Sequence, residues 1–322
     1  MMLSAQIAGT HADLVEETVR ESAAAALSGV AASWRRSMLY HGLDPSQKRP
    51  PVRVTDREFN QALEAAGDLL IVARPTLDGL FRLAGQAGCS IVLTNENGLI
   101  LKSSSKAGDE TSFRGWGLTE GAVWSEAAEG TNGIGTCLVE KAPVVIHQKQ
   151  HFRSANIAMS CMAAPIYDPK GDIRAVLDIS SCRRDLDASF AQVLGAMVTE
   201  SARTVESDLF RSAFAGARVL MAGEPGKSGV ALLAVDADDL IIGATRQARK
   251  LYGLNDETLA QTPPLVDVLQ LEERSSSGAA ARSDLKRALS RQGGNVSAAA
   301  RDLGISRATM YRRMKKFGLA GT

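Results

Sequence analysis

The sequence lacks the features that mark secreted, zinc-binding and membrane proteins. Its four cysteines, at positions 89, 137, 161 and 182, are widely spaced and form no C-x-x-C pair, so they indicate neither a zinc ribbon nor a disulfide framework. No run of eighteen apolar residues occurs, and acidic residues precede any long apolar stretch at the N-terminus. We therefore expect a protein of the reducing cytoplasm with no membrane partner.

Aromatic residues are scarce, and an excess of positive charge is confined to the C-terminal end of the chain. The chain of 322 residues has a formal net charge of +1 and 5% aromatic residues. Residues 282–322, however, hold ten Lys and Arg against two Asp and Glu, whereas the rest holds 27 against 34. This division into +8 and −7 is typical of a DNA-binding module joined to a domain that does not bind DNA. RNA is disfavoured because no aromatic stacking platform accompanies the cations.

The basic segment has the pattern of three short helices. Apolar residues at helical spacing predict a first helix over 284–292, which two glycines end, and a second over 296–303. After a turn at Gly304, a third helix is expected over 307–317, with Met310, Met314 and Phe317 toward the core. This arrangement predicts an all-α helix-turn-helix that places its third helix in DNA.

The third helix concentrates the residues expected to contact DNA. Cations hold phosphates, and polar groups near the helix start reach base edges. A solvated basic tail is the alternative interpretation of the same charges. The predicted DNA-binding residues are Ser306, Arg307, Thr309, Met310, Arg312, Arg313 and Lys316.

A family resemblance supports this interpretation. The run GNVSAAARDLGISRATMYRRM from Gly294 to Met314 resembles the Fis-type helix-turn-helix that ends many bacterial enhancer-binding regulators. The resemblance implies a dimer that binds inverted repeats in DNA.

The middle of the chain has the alternation of an antiparallel sheet. Strands are predicted over 90–94, 99–103, 144–147, 159–166 and 173–180, with short helices over 136–140 and 152–157. Helices are predicted before them over 14–41 and 55–82, the second with a break near Pro75. We expect an α+β multidomain protein whose central domain is a helix-covered antiparallel sheet.

Several runs in this region resemble one group of sensors. Ser33-Trp-Arg-Arg-Ser and Tyr40-His-Gly-Leu-Asp-Pro resemble the N-terminal signature of regulators similar to the acetoin-catabolism activator. EGTNGIGTCL from Glu129, His151-Phe, and SCMAAPIYDP from Ser160 resemble the GAF domain of that group. The resemblance implies that a small molecule or a protein signals through the GAF domain to the output domain.

A ligand pocket needs apolar walls with a few convergent polar groups. The glycine-rich run at Gly130, Gly133 and Gly135 indicates a structural turn rather than a phosphate loop, because no lysine follows it. The Cys and His spacing there is irregular, so we predict no metal and no cofactor. The candidate pocket residues, each of which has a core role as its alternative, are Trp116, Trp124, Asn132, Cys137, His151, Met159 and Cys161.

The predicted organisation has six segments. They are an N-terminal helical region (1–75), the GAF domain (76–185), a connector helix (186–216), a PAS-like fragment (217–271), a flexible linker (272–281) and the helix-turn-helix (282–322). Apolar residues of the connector recur at near-heptad distances, which is typical of a helix on a sheet or of a dimer connector. Strands over 230–235 and 240–242 and a helix over 245–252 give the fragment its PAS-like pattern.

One glycine-rich run suggests an ATPase phosphate loop, but the spacing of its glycines excludes that motif. Residues 223–228, GEPGKS, place two residues between the glycines where a phosphate loop needs four. Only about seventy residues separate Phe210 from the helix-turn-helix, too few for an ATPase domain. The chain therefore departs from its full-length relatives, and we expect no ATP-driven activity.

Three functional hypotheses follow. The first is a non-enzymatic, dimeric, signal-responsive DNA-binding regulator, with RNA polymerase or a related regulator as a further partner. The second is an interaction protein that modulates a full-length ATPase-type regulator. The third is a GAF reductase of methionine sulfoxide, although the spacing of Cys89, Cys137 and Cys161 matches no such enzyme.

Overall fold

The computed structural model describes residues 10–21, 23–223, 230–269 and 278–319. These residues form two compact units, one within Met1–Tyr167 and Ile173–Glu206 and the other within Asp168–Asp172 and Ser207–Thr322. No helix of the described ranges is long and apolar enough to cross a membrane.

The first unit begins with short helices rather than the single helix predicted over 14–41. They are α1 (His11–Arg20), α2 (Ala24–Leu27) and α3 (Gly29–Arg35), followed by a π-helical turn over Arg36–Tyr40. The Ser28 hydroxyl accepts from the amide of Ala31 and so caps α3. An N-cap serine marks the start of a new helix, so the long predicted helix is divided at Ser28.

Two helices precede the sheet, and the predicted break near Pro75 is wrong. Helix α4 (Asp56–Ala65) starts at a capping box made by Thr55 and Glu58, and α5 (Gly67–Ala84) continues through Pro75. The break falls at Ala66 instead. An interior proline costs about 3 kcal/mol, which burial of several side chains at roughly 1.5–3 kcal/mol each can offset; the buried α5 residues are Leu69, Ala73, Leu80 and Ala84.

The sheet has five antiparallel strands in the order β2-β1-β5-β4-β3. They are β1 (Cys89–Asn95), β2 (Ile100–Ser104), β3 (Val144–His147), β4 (Ser160–Tyr167) and β5 (Ile173–Ser181). Each lies within about one residue of its predicted range, because a short apolar run bounded by turn residues is a strong local signal. The expected α+β class with an antiparallel central sheet is confirmed.

Three helices accompany the sheet: α6 (Ala107–Trp116), α7 (Glu126–Glu129) and α8 (Gly133–Glu140). The helix predicted over 152–157 shrinks to one 3₁₀ turn, Ser154–Asn156. Side chains of the sheet, α6 and α8 form the main core, which includes Val92, Ile100, Phe113, Leu118, Trp124, Ile134, Cys137, Met159, Cys161 and Val176.

The long helix α9 (Ala188–Ala213) runs from the first unit into the second. There a small antiparallel sheet follows, in the order β6 (Arg218–Met221), β7 (Leu232–Val235) and β8 (Ile241–Ala244). Helices α10 (Arg246–Tyr252), α11 (Asp256–Ala260) and α12 (Leu265–Val268) come next. Strand β6 was not predicted. Of the ATPase-like run, only Gly223 is among the described residues.

The C-terminal helices are α13 (Gly278–Arg291), α14 (Val296–Asp302) and α15 (Arg307–Lys316). Helix α13 begins six residues before its predicted start, within the predicted linker, whereas residues 272–277 lie outside the described ranges. The three helices share a core of Leu285, Ala288, Ala299, Ala300, Met310 and Met314.

Candidate nucleic-acid interface and sensor core

Helix α15 exposes one cationic face and buries another that is apolar. Ser306 caps it by accepting from the amide of Thr309 at 3.1 Å. Gly304, with φ of +63°, makes the turn that joins it to α14, where the left-handed conformation favours glycine. Met310 and Met314 hold the inner side, while the outer side presents Arg307, Arg312, Arg313, Lys315 and Lys316.

Within the described ranges, Arg307, Arg312, Arg313 and Lys316 of α15 make only neutral contacts. Among the described residues, no carboxylate lies within ion-pair distance of Arg307, Arg312, Arg313 or Lys316. Their contacts are neutral: Arg312 donates to the Thr309 hydroxyl at 3.3 Å, and the Arg307 guanidinium lies 5.6 Å from the Tyr311 ring centroid. This surface is therefore free to accept phosphate oxygens.

The prediction that Met310 contacts DNA needs correction. Its side chain is fully buried in the core of the three helices, on the opposite side of α15 from Arg312. The other predicted DNA-binding residues have no such conflict: Ser306, Arg307, Arg312, Arg313 and Lys316 are exposed, and Thr309 is half-buried. Their role in DNA binding stays a prediction.

The predicted pocket residues of the first unit lie together, within or against the main core. Trp124, Cys137, Met159 and Cys161 belong to that core, and the half-buried Trp116 packs against it. Both indole nitrogens donate to backbone carbonyls, Trp116 to Ala155 and Trp124 to Gly117. Asn132 and His151 are also fully buried.

The glycine-rich run is closely packed and has no room for side chains. A Cβ built on Gly130 would lie 2.5 Å from Phe152, one on Gly133 2.6 Å from the Cβ of Cys161, and one on Gly135 2.3 Å from the backbone nitrogen of Glu126. Between them, Asn132 caps α8 by accepting from the amide of Gly135 and donates to the carbonyl of Gly130. Gly130, with φ of +68°, makes the turn after α7, whereas Gly133 and Gly135 lie in the first turn of α8, so only the start of the run forms the predicted turn.

A track of four buried polar groups crosses the sheet. Two of them, His151 and Cys161, were predicted from the sequence. His151 Nε2 lies 3.3 Å from Cys161 Sγ, which lies 3.1 Å from Ser180 Oγ, and Ser180 donates to Asp178 Oδ2 at 2.6 Å. Asp178 Oδ1 is buried and has no partner among the described residues. Asp178 was missed although a signal existed, since it is the one charged residue in the apolar run of β5.

Burial disfavours the charged forms of the groups in this track. It raises the pKa of Asp178 to about 7 and lowers that of His151 to about 4, because the charged form of each group loses its hydration. The pKa of the Cys161 thiol is raised well above its ordinary value, mainly by the same desolvation. Nucleophilic cysteines need a lowered pKa, so the Cys161–His151 contact is that of a thiol with a neutral imidazole.

Other polar groups join the N-terminal helices to α7 and to the 3₁₀ turn after β3. The Ser33 hydroxyl donates to Glu126 at 2.7 Å, and Arg36 donates to the same carboxylate at 2.8 and 3.1 Å. The Trp34 indole donates to the carbonyl of Gln150. The two runs that gave the sequence resemblance, Ser33–Ser37 and Glu129–Leu138, thus lie on segments held together in space. Across the described residues, no three His, Cys, Asp or Glu are grouped to hold a metal ion.

A cavity of about 360 Å³ opens beside this core. Phe113 and Leu118 belong to both the cavity wall and the core. None of the seven predicted pocket residues lines this cavity. Its other walls are mostly polar and contain no cation: Asp78, Phe81, Ser90, Ser103, Ser104, Ser105, Glu110 and Thr119.

Comparison with known families identifies both regions. Residues 68–202 match the GAF domain, and residues 284–317 match the bacterial regulatory proteins of the Fis family. The chain therefore carries a GAF domain and a Fis-type helix-turn-helix. The GAF match extends beyond the predicted 76–185 at both ends, to include more of α5 and much of α9.

The curated relatives are transcriptional regulators. The chain is 33% identical over 149 residues to the acetoin catabolism regulatory protein of Cupriavidus necator, covering 46% of this chain and 22% of that protein. It is 29% identical over 151 residues to the acetoin dehydrogenase operon transcriptional activator AcoR of Bacillus subtilis, covering 47% and 25%. The matches thus span about a quarter of the length of these relatives.

A solved structure shares the fold. The E. coli DhaR(N)–DhaL complex contains a chain that matches with a TM-score of 0.53 at 15% identity, covering 70% of this chain and 77% of that one. At this identity the likeness concerns the fold alone.

Proposed function

We propose that this chain, in which a GAF domain precedes a Fis-type helix-turn-helix, is a DNA-binding transcriptional regulator that responds to a signal. The observation that carries the proposal is α15, whose exposed cations have no carboxylate partners in the described structure. Such a surface suits the phosphate backbone, whose charge dominates affinity for DNA. Arg307, Arg312, Arg313 and Lys316 supply the cations, and Ser306 and Thr309 supply hydroxyls at the helix start.

The regulator acts as a dimer that binds two half-sites about one helical turn apart. Its GAF domain receives a small molecule or a protein, and the bound signal changes the fit of the paired heads to their half-sites. The described residues between α9 and α13 form a small sheet and three short helices. This small size supports a mechanism without ATP hydrolysis. RNA polymerase or a related regulator completes the set of partners.

The deciding experiment compares two double variants. Arg312→Ala with Arg313→Ala removes two cations from α15, and Arg57→Ala with Arg74→Ala removes two exposed cations from α4 and α5. Fluorescence anisotropy with a labelled duplex, titrated with KCl, gives the affinity and its salt dependence. We expect the α15 variant to bind more weakly with a salt slope smaller by up to about two, and the control to match the wild type.

Equal binding by both variants would contradict the proposal. Mapping both variants across the genome of the source bacterium then separates regulation from the alternative. Sharp peaks that only the α15 variant loses support a sequence-specific regulator. No peaks in the wild type would favour the interaction protein that modulates an ATPase-type regulator.

For the signal, we propose a small neutral or cationic hydroxyl-bearing molecule in the 360 Å³ cavity. The cavity wall offers hydroxyls and two carboxylates but no cation, so a carboxylate or phosphate ligand would lose hydration without a compensating partner. A thermal-shift screen of small diols, amino alcohols and carboxylates tests this. Diols or amino alcohols should raise the melting temperature of the wild type but not of Ser104→Trp, which fills the cavity; stabilisation by carboxylates alone would contradict it.

A further inference from the structure

The first helix of the DNA-binding head rests on an acidic surface of the small sheet in the second unit. This surface, the acidic rim, consists of Asp238, Asp239 and Asp267. Arg282 and Lys286 pair with Asp238, and Arg287 reaches Asp239 at 3.5 Å. Arg291 donates twice to Asp267, at 2.7 and 2.8 Å. Four of the ten cations in residues 282–322 therefore lie within ion-pair distance of the three rim carboxylates, and two of the four, Arg287 and Arg291, also pair with Asp284 and Asp302 of the head.

The loops that carry the rim hold it in place. Asp236 accepts from the amides of Asp238 and Leu240 and so shapes the turn between β7 and β8. The amide of Leu265, at the start of α12, donates to the carbonyl of Asp239. The turn and α12 are thereby tied together, which places Asp267 beside the two turn carboxylates.

The junction between rim and α13 is polar. The apolar residues of α13, Leu285, Ala288 and Leu289, pack into the core of the three-helix head, whereas the small sheet has a separate core that contains no α13 residue. Besides the ion pairs, Ser290 donates to the carbonyls of Gln261 and Thr262 at 2.8 and 2.7 Å. These ion pairs are partly buried, with side-chain exposures from 6% for Asp238 to 46% for Arg282, so added salt weakens them, although less than it weakens fully exposed pairs.

We propose that the acidic rim masks the cations of α13, and that DNA displaces the rim so that these cations bind phosphates. The inference rests on the proposed function, since it takes DNA as the competing polyanion. A duplex carries one negative charge per about 1.7 Å of its axis, a far denser array than three carboxylates. Once α15 is bound to DNA, the released α13 adds up to four phosphate contacts.

Two pairs of substitutions test the mask through binding. The rim variant, Asp238→Asn with Asp267→Asn, removes two charges that face α13. The matched control, Asp256→Asn with Glu257→Gln, removes two exposed charges of α11 in the same unit, including the partner of Arg249. Anisotropy with a short random-sequence duplex should show stronger binding by the rim variant and a salt slope steeper by between about one and four. If the double variant folds poorly, Asp267→Asn alone, at a half-exposed position, serves instead. It should make the salt slope steeper by about one.

A crosslink detects the contact between the acidic rim and α13 without a measurement of DNA affinity. A carbodiimide joins the Lys286 amine to the Asp238 carboxylate when the two are in contact, and peptide mass spectrometry detects the product. Lys286→Arg keeps the charge but cannot form this bond and is the blank. We expect the crosslink at low KCl, with a yield that falls when the duplex or KCl is added.

The outcomes separate the two proposals. If the wild type fails to bind the duplex in low salt, the proposed function fails whatever the crosslink shows. If DNA binds but the crosslink yield is unchanged, or the rim variant has the salt slope of its control, the mask is overturned while DNA binding stands.

Discussion

At the scale of single residues, Gly135 in the first turn of α8 is fixed by its contacts. Gly135→Ala would bring a methyl group to 2.3 Å from the backbone nitrogen of Glu126, and a backbone neighbour cannot move aside like a flexible side chain. We expect a loss of about 1–3 kcal/mol in the free energy of unfolding, as for other overpacked sites. Urea denaturation followed by circular dichroism gives this value.

Gly108→Ala is the matched control for that substitution. It lies in helix α6, and an added Cβ would meet nothing within 4 Å, so it should be neutral or slightly stabilising, because alanine favours helix. Equal losses at both positions would show that the close packing around Gly135 is not what matters.

Asp178 and His151 should give opposite pH dependences that partly cancel. The pKa of Asp178 is raised to about 7, so its contribution to stability is complete below about pH 4 and is lost as the pH rises to 7. The pKa of His151 is lowered to about 4, so its contribution is complete above about pH 6.5 and is lost as the pH falls. Between about pH 4 and 6.5 the two effects oppose each other.

Asp178→Asn should unmask the histidine. Its unfolding free energy should then rise by roughly 2–3 kcal/mol from pH 4.5 to 6.5, whereas the wild type changes little. Urea midpoints at four pH values measure this, with the exposed Glu96→Gln as control. A variant profile as flat as that of the wild type would count against a neutral buried His151.

At the scale of elements, the N-terminal helices contribute to the GAF fold. Arg36 is about one-third exposed, but its partner Glu126 is buried, so the pair is less screened than a surface ion pair. A double-mutant cycle with Arg36→Ala and Glu126→Gln should give a coupling free energy of about 1–3 kcal/mol. The single-variant Arg35→Ala, which loses only one long hydrogen bond to Val19, should destabilise less. A coupling near zero would mean that Ser33 alone holds Glu126.

The elements also show what sequence patterns can predict. The five strands of the main sheet were found because short apolar runs bounded by turn residues are a local signal. Helices α14 and α15 were found because capping residues and glycines mark their ends. The break assigned to Pro75 was wrong, since packing of α5 on the sheet is not encoded near the proline. The edge strand β6 was missed because its residues are only partly buried, so it lacks a clear period of two.

Site residues could be predicted from the sequence only where the side chains that carry the chemistry are also exposed. The cations of α15 form a dense local cluster, which the sequence displays directly. Met310 was assigned both to the core and to DNA, and only the helix face decides between the two. The polar track from His151 to Asp178 depends on the register of β4 and β5, in which Cys161 lies opposite Ser180, and no short sequence window contains that pairing.

At the scale of the whole molecule, net charge overstates the DNA-binding surface. The ten cations of residues 282–322 include four that face the acidic rim, whereas α15 carries five, so only about half of the positive charge lies on the exposed surface of α15. The division of charge between the two ends of the chain therefore has two roles, attraction to DNA and attachment of α13 within its own unit.

The two units should also unfold separately, because each has its own core. Calorimetry should show at least two transitions rather than one. Gly135→Ala should lower only the transition of the first unit, by several degrees, and Met310→Ala only that of the second, since truncation of a buried methionine costs about 2–5 kcal/mol. The anisotropy of a duplex below both transitions adds a second readout: the folded Met310→Ala should keep the wild-type salt slope, because its side chain faces the core. A single transition lowered by both variants would show that α9 couples the units into one cooperative body.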